Sequence, residues 1–176
     1  MRSVLYILLL SMLMLLTTDS IGISPIANGK PLDRKESTFT ESYLRYAPAS
    51  IQMHYYIKKY AEMYKVPLDI AYKIARLETN YKGPTHFTYN AAQTSYMNAY
   101  GPFQILLSTA REVSGNPELS KEELLNNIDL NVCIGIKYLS QLYNEYHSWA
   151  IAAGYYNTGR PQLNEYAMAV KSVSND

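Results

Sequence analysis

An all-α domain with little or no strand is what this sequence predicts, on three observations. From Ser50 onward apolar residues recur at intervals of three and four. The segments that carry this rhythm are separated by capping residues, Gly and Pro. Strand signals are weak throughout.

The elements follow in chain order. Ser50 is read as the cap of a first helix that carries Ile51, Tyr55, Tyr56, Tyr60 and Met63 and stops before Pro67. Pro67 suits a first helical turn and opens the second helix. Its sequence "DIAYKIARLETNYKGP" places Ile70, Ile74, Leu77 and Tyr81 on one face and ends before Gly83-Pro84. Residues 83–100 show no period and are rich in tyrosine. "LLSTAREVSG" gives a third helix with Gly115 as its stop. Ser120 and Glu123 form a capping box that opens a short helix. The longest helix runs from about Asp129 to Tyr146 with Val132, Ile136, Leu139 and Tyr143 as its stripe. Ser148 caps "WAIAAGYYN", Gly159 breaks it, and Pro161 opens a last helix with Leu163, Tyr166 and Val170. About 120 residues of this kind are enough to bury a real core.

At the N-terminus Arg2 precedes an apolar run from Val4 to Leu16, then polar "TTDSIG". The run is shorter than the ~20 residues of a spanning helix and matches a signal peptide over 1–22, the alternative being an uncleaved membrane anchor. Either way the remainder is expected to be exported, to a periplasm or the extracellular space. Residues 23–49, broken by Pro25, Pro31 and Pro48, read as a linker or flexible arm, 50–171 as the working domain and 172–176 as a tail. A formal net charge of +1 implies no broad attraction to nucleic acid. The single cysteine, Cys133, permits no internal disulfide and reads as a buried, inert thiol. His54, His86 and His147 are far apart and lack metal-ligand spacing, so neither metal nor other cofactor is expected.

Three stretches carry candidate chemistry. Glu78 lies on or beside the apolar face of the second helix, close to its end, where desolvation raises a carboxyl pKa. A surface pair with Lys82 at i+4 is the plain alternative. "YGPFQI" puts a low-bulk turn at Gly101-Pro102 before Phe103 and Gln104, whose amide is either a ligand contact or a loop tie. "AAGYYNTG" has small residues for close helix packing, followed by Tyr155, Tyr156 and Asn157. Tyrosines number 18, and rings in the 86–100 loop and at Tyr155 are candidates to stack on a ligand, since each offers an apolar plane with a polar tip, whereas Trp149 reads as core.

Taken in order, Glu78-Thr79-Asn80-Tyr81, Gly101-Pro102-Phe103-Gln104, Asn131-Val132-x-x-Gly135-x-x-Tyr138-Leu139 and Tyr155-Tyr156-Asn157-x-Gly159 resemble the four motifs of the lytic transglycosylase family. The resemblance spans roughly residues 51–170. It implies a lysozyme-like, goose-type helical domain with a substrate groove that acts on peptidoglycan glycan strands as a monomer. It implies that Glu78 is the single catalytic acid/base, that Thr79, Phe103, Gln104, Tyr156 and Asn157 help bind the sugar, and that Tyr156 also hydrogen-bonds Glu78. Thr79 stands where the family has serine, and Pro102-Phe103 where it has Leu-Met. The stretch from Glu78 to Gln104 is also longer than the family pattern.

Most glycosidases use two carboxylates, and no second acid is compelling here: Asp69 and Asp129 look like helix starts, and Glu112, Glu122, Glu123 and Glu165 fall on polar faces. As the resemblance implies, one carboxyl would protonate the bond between N-acetylmuramic acid and N-acetylglucosamine, with acetamido assistance, then help close a 1,6-anhydro ring. A hydrolytic muramidase on the same fold and a non-catalytic glycan-binding or assembly protein are the rivals. General wall turnover, or wall opening for a secretion, conjugation or phage assembly, are the candidate settings.

Overall fold

The computed structural model describes residues 42–171. The expected leader, most of the arm and the tail lie outside the described residues. The end of the arm that is described is packed: residues 42–44 make a helical turn, Leu44 is buried, and Gln52 Nε2 donates to the carbonyl of Ala47. The packed domain therefore begins ahead of Ser50.

Helices α1 (Ala49–Tyr64) and α2 (Leu68–Thr79) are followed by the short strands β1 (Ala99–Tyr100) and β2 (Ile105–Leu106). Then come α3 (Leu107–Ser114), α4 (Lys121–Asn126), α5 (Ile128–Tyr146), α6 (Trp149–Thr158) and α7 (Glu165–Lys171). Helix α5 is central: α1, α3, α4 and α6 pack on it, while α7 bridges α6 and α2. Its stripe is buried as expected at Val132, Ile136 and Leu139, with Tyr143 half-buried and stacked on Trp149 at 3.9 Å between ring centroids. The strands pair antiparallel, Ala99 with Leu106 and Tyr100 with Ile105.

Helix boundaries follow local chemistry. The Ser120–Glu123 capping box forms in full, Ser148 accepts from Ile151 N, and Gly115 and Gly159 take left-handed conformations that end α3 and α6. Other expectations differ. Pro48, not Ser50, occupies the N-cap of α1, and the Ser50 hydroxyl is buried and donates to the carbonyl of Pro84, which holds the following loop to the helix. Leu77 is exposed, and the buried face of α2 is Ile70, Ala71, Ile74 and Ala75. The helix ends at Thr79 because Asn80 turns left-handed with φ 56°. Pro161 does not start α7, which begins at Glu165, and Leu163 is exposed. Cys133 is only partly buried, its Sγ 3.4 Å from the Tyr64 hydroxyl.

Two glycines set where the last elements lie. A Cβ on Gly154 of α6 would come within 1.8 Å of the Gln162 carbonyl oxygen, so the chain leading into α7 approaches closely only because no side chain is there. Gly101, at φ 72°, would place a Cβ 2.4 Å from Asn131 Nδ2. Both glycines hold chain segments that reach the groove described next.

Candidate active site

A groove of about 460 Å³ is lined by Glu78 from α2, the 95–99 turn, Gln104 to Leu106, Tyr138 of α5, and Tyr155 to Gly159 at the end of α6. Glu78 sits in the last turn of its helix, half-buried, where nearby backbone carbonyls also disfavour a negative charge. Burial raises its pKa from the ordinary 4.5 to about 7, against the opposing pull of one hydrogen bond. That bond comes from Tyr166 of α7, whose hydroxyl donates to Oε1 at 2.5 Å.

The tyrosine that reaches Glu78 is therefore Tyr166 and not Tyr156. The Tyr156 hydroxyl donates instead to the carbonyl of Phe103 at 2.7 Å. Burial and then the Glu78 charge push both phenols well above their usual pKa, so they stay neutral donors. Tyr166 follows Glu78 by 88 positions, and in the sequence it reads only as an apolar residue of the last helix. What brings it into reach is the close approach permitted by Gly154 together with the cap of α7. Asn164 Oδ1 accepts from Ala167 N, and Asn164 Nδ2 donates to Asn157 Oδ1 at 3.2 Å.

Gln104 and Asn157 line the groove, as does Tyr156. Gln104 is held at φ 46°, a left-handed conformation, and its Nε2 donates to the carbonyls of Gly101 and Gln93 at 2.8 and 3.1 Å. Both amide hydrogens are thus committed to the loop, and Oε1 is the group left to accept from a ligand hydroxyl or amide. The ligand contact and the loop tie, alternatives in the sequence, are compatible in one side chain.

Thr79 and Phe103 do not reach the groove. Thr79 is buried, with its hydroxyl 2.7 Å from the Tyr89 hydroxyl, 3.0 Å from the Pro102 carbonyl and 3.2 Å from that of Ala75. With one proton to give, it joins the end of α2 to the 101–104 turn, and its hydroxyl faces the interior instead of the groove. Phe103 is fully buried against α5, and a Cβ on Gly135 would lie 2.7 Å from its side chain. Its large ring in the motif is accommodated by a glycine on the facing helix. The tyrosines of the long loop are not the groove surface either. Tyr89 is core, Tyr96 stands outside the groove, and the loop contributes Ser95, Met97 and Ala99.

Removing the Tyr166 hydroxyl has a signed effect. That hydrogen bond stabilises ionised Glu78, so Tyr166→Phe should raise the carboxyl pKa further above about 7. If the protonated carboxyl is the working form, the alkaline limb of kcat/KM then moves to higher pH, by about one unit for a bond of ~1.5 kcal/mol. A limb that stays put or moves to lower pH contradicts this.

A family model described as the transglycosylase SLT domain matches residues 55–176. Several solved structures are similar, two of which follow. One is the 70-kDa soluble lytic transglycosylase of Escherichia coli, 23% identical with a TM-score of 0.50. The other is the complex of the 70-kDa soluble lytic transglycosylase with bulgecin A, 24% identical with a TM-score of 0.51. Each match covers 66% of this chain and 18% of the larger one, so this chain corresponds to a small part of those proteins. The likeness bears out the lysozyme-like helical fold. No curated protein sequence matches the chain.

Proposed function

The chain belongs to the transglycosylase SLT domain family, and from that premise we propose that it is a peptidoglycan lytic transglycosylase that uses Glu78 as its single acid/base. The observation that carries this reading is a carboxyl with a pKa near 7, set in a groove whose described lining holds no second carboxylate. A group titrating near working pH can give a proton and later take one.

In this reading protonated Glu78 donates to the glycosidic oxygen between N-acetylmuramic acid and N-acetylglucosamine. The substrate's acetamido oxygen supports the cationic anomeric carbon, the part a second carboxylate plays in most glycosidases. Ionised Glu78, now held by the Tyr166 hydroxyl, then takes the proton of the muramic 6-hydroxyl as that oxygen closes a 1,6-anhydro ring. Gln104 and Asn157 orient the sugar, while Thr79, Phe103 and Tyr156 hold the turn and helix end from behind. Export beyond the cytoplasmic membrane, inferred from the N-terminal apolar run, would bring the enzyme to this substrate.

The test is the mass of the products from purified peptidoglycan. Anhydro-muramic ends, one water lighter than hydrolytic ends, are expected. Products with free reducing muramic ends would assign the groove to a hydrolytic muramidase instead.

A further inference from the structure

Helix α7 is 7 residues long, too short to hold its shape alone in water, so its place is set by what anchors it. Its Ala167 and Val170 are buried. Its N-terminal end is fixed by the Asn164 cap and by the close pass over Gly154. Its other end is held from α2, where the half-buried Lys73 donates through Nζ to the carbonyls of Ala169 and Val170 at 2.9 and 3.3 Å. Carbonyls in the last turn of a helix lack partners within it, and a cation there also meets the negative end of the helix dipole.

Helices α2 and α7 thus touch twice, in opposite order along the chain. Lys73 meets the end of α7, and Glu78, later in α2, receives the Tyr166 hydroxyl from near the start of α7. Lys73 precedes Glu78 on α2 by about 7.5 Å of helix rise, and Tyr166 lies one turn from Val170 on the same face of α7. Over so short a span, drift at one contact is felt at the other, and a hydrogen bond does not survive a drift of about 1 Å. Lys73 itself does not line the groove and stands about 140° around α2 from Glu78.

We propose that Lys73 is a positioning residue: its ammonium clamps the end of α7 to α2 and so keeps the Tyr166 hydroxyl on Glu78. The proposal rests on the reading of Glu78 as the acid/base and adds the residue that holds its hydrogen-bond donor in place. The titratable groups that face Glu78 are Tyr166 from α7 and Tyr156 from α6, both held neutral, with Tyr138 of α5 and Tyr155 of α6 in the same groove lining. On α2 itself Arg76 and Lys82 are exposed.

The experiment titrates the Glu78 carboxyl in the full chain by carbon-13 NMR, the resonance being assigned by its loss in Glu78→Gln, and needs no substrate. Lys73→Met keeps the apolar stem and removes the ammonium. It is expected to raise the Glu78 pKa by about half a unit, in the direction of Tyr166→Phe and by less. Lys73→Arg, which keeps the charge and the donors, should stay within about 0.2 unit of the parent. In a Tyr166→Phe background Lys73→Met should add nothing, because the bond it guards is already gone. The alkaline limb of kcat/KM on peptidoglycan should follow the same pattern. Three results overturn the proposal. One is an unmoved Glu78 titration in Lys73→Met, however far its Tm falls, which would make Lys73 a structural tie alone. Another is a shift of equal size in the Tyr166→Phe background, which would mean that the ammonium acts on Glu78 by its charge. The third is a shift in Lys73→Arg as large as in Lys73→Met. Cleavage by the parent chain separates the two readings. If it cleaves peptidoglycan and Lys73→Met leaves the titration unmoved, the clamp fails and the enzyme stands. If it cleaves nothing while the titrations follow the expected pattern, the enzymatic reading fails and the clamp stands.

Discussion

Glu78→Gln is expected to lower peptidoglycan cleavage by about 10³-fold or more while leaving the helical circular dichroism unchanged. The amide keeps the shape of the carboxyl and an oxygen to accept from Tyr166, but it has no proton to give and takes none. With no second carboxylate among the described groove residues, nothing adjacent can assume the role. Stability should move the other way. The unfolded carboxyl titrates near 4.5 and the folded one near 7, so the folded state is penalised as pH rises from 4.5 toward 7, and the full penalty persists above that. Glutamine removes the penalty. The variant should therefore match the parent at pH 4 and melt higher at pH 8, by about 1–3 kcal/mol on partial burial. Cleavage within tenfold of the parent would refute the assignment of the acid. A variant less stable than the parent at pH 8 would mean that the carboxylate is a stabilised ion and not a dry acid.

The sequence was informative where chemistry is local. The Ser120–Glu123 box, the Ser148 cap, Gly115, Gly159 and the apolar stripe of α5 are decided by neighbours within a turn or two, and they appear where expected. The candidate acid was visible for the same reason, as a carboxyl beside an apolar face near a helix end. What could not be read is set by approach between distant segments. Ser50 looks like a cap because hydroxyls cap helices, but its partner is the carbonyl of Pro84, 34 residues away. Thr79 and Phe103 lie in motifs beside groove residues, yet consecutive residues at a helix end or in a tight turn point in different directions. One faces the groove while its neighbour enters the core. Tyr156 and Tyr166 are both phenols on late helices; the Phe103 carbonyl takes the first, and the second reaches Glu78 from the chain that passes close over Gly154. The tyrosine-rich loop misled for a similar reason, because composition does not reveal that its turn presents Met97 inward and Tyr96 outward.

Asn131→Ala is the substitution from which the largest loss of stability is expected. Its side chain is fully buried in α5, and all its polar atoms are engaged. Oδ1 accepts from Phe103 N at 2.9 Å, and Nδ2 donates to the carbonyls of Tyr100 at 2.8 Å and Leu124 at 3.0 Å. It thus joins the end of β1, the 101–104 turn and α4 to the central helix, and Gly101 exists as glycine partly to leave it room. Alanine would leave one amide hydrogen and two carbonyls without their partner in a dry interior, with a small void besides. The expected cost is about 3–4 kcal/mol, a large share of the ~5–15 kcal/mol that holds a typical domain, and a fall in Tm of roughly 10 °C or more. Function should suffer even where the variant remains folded. Gln104 takes its strained conformation at the end of the same turn, so loosening the turn should raise KM for glycan more than it lowers kcat. A loss below about 1 kcal/mol would mean that the turn holds itself, through the Gln104 amide and the Tyr156–Phe103 hydrogen bond, and that the buried asparagine fills space without anchoring the site.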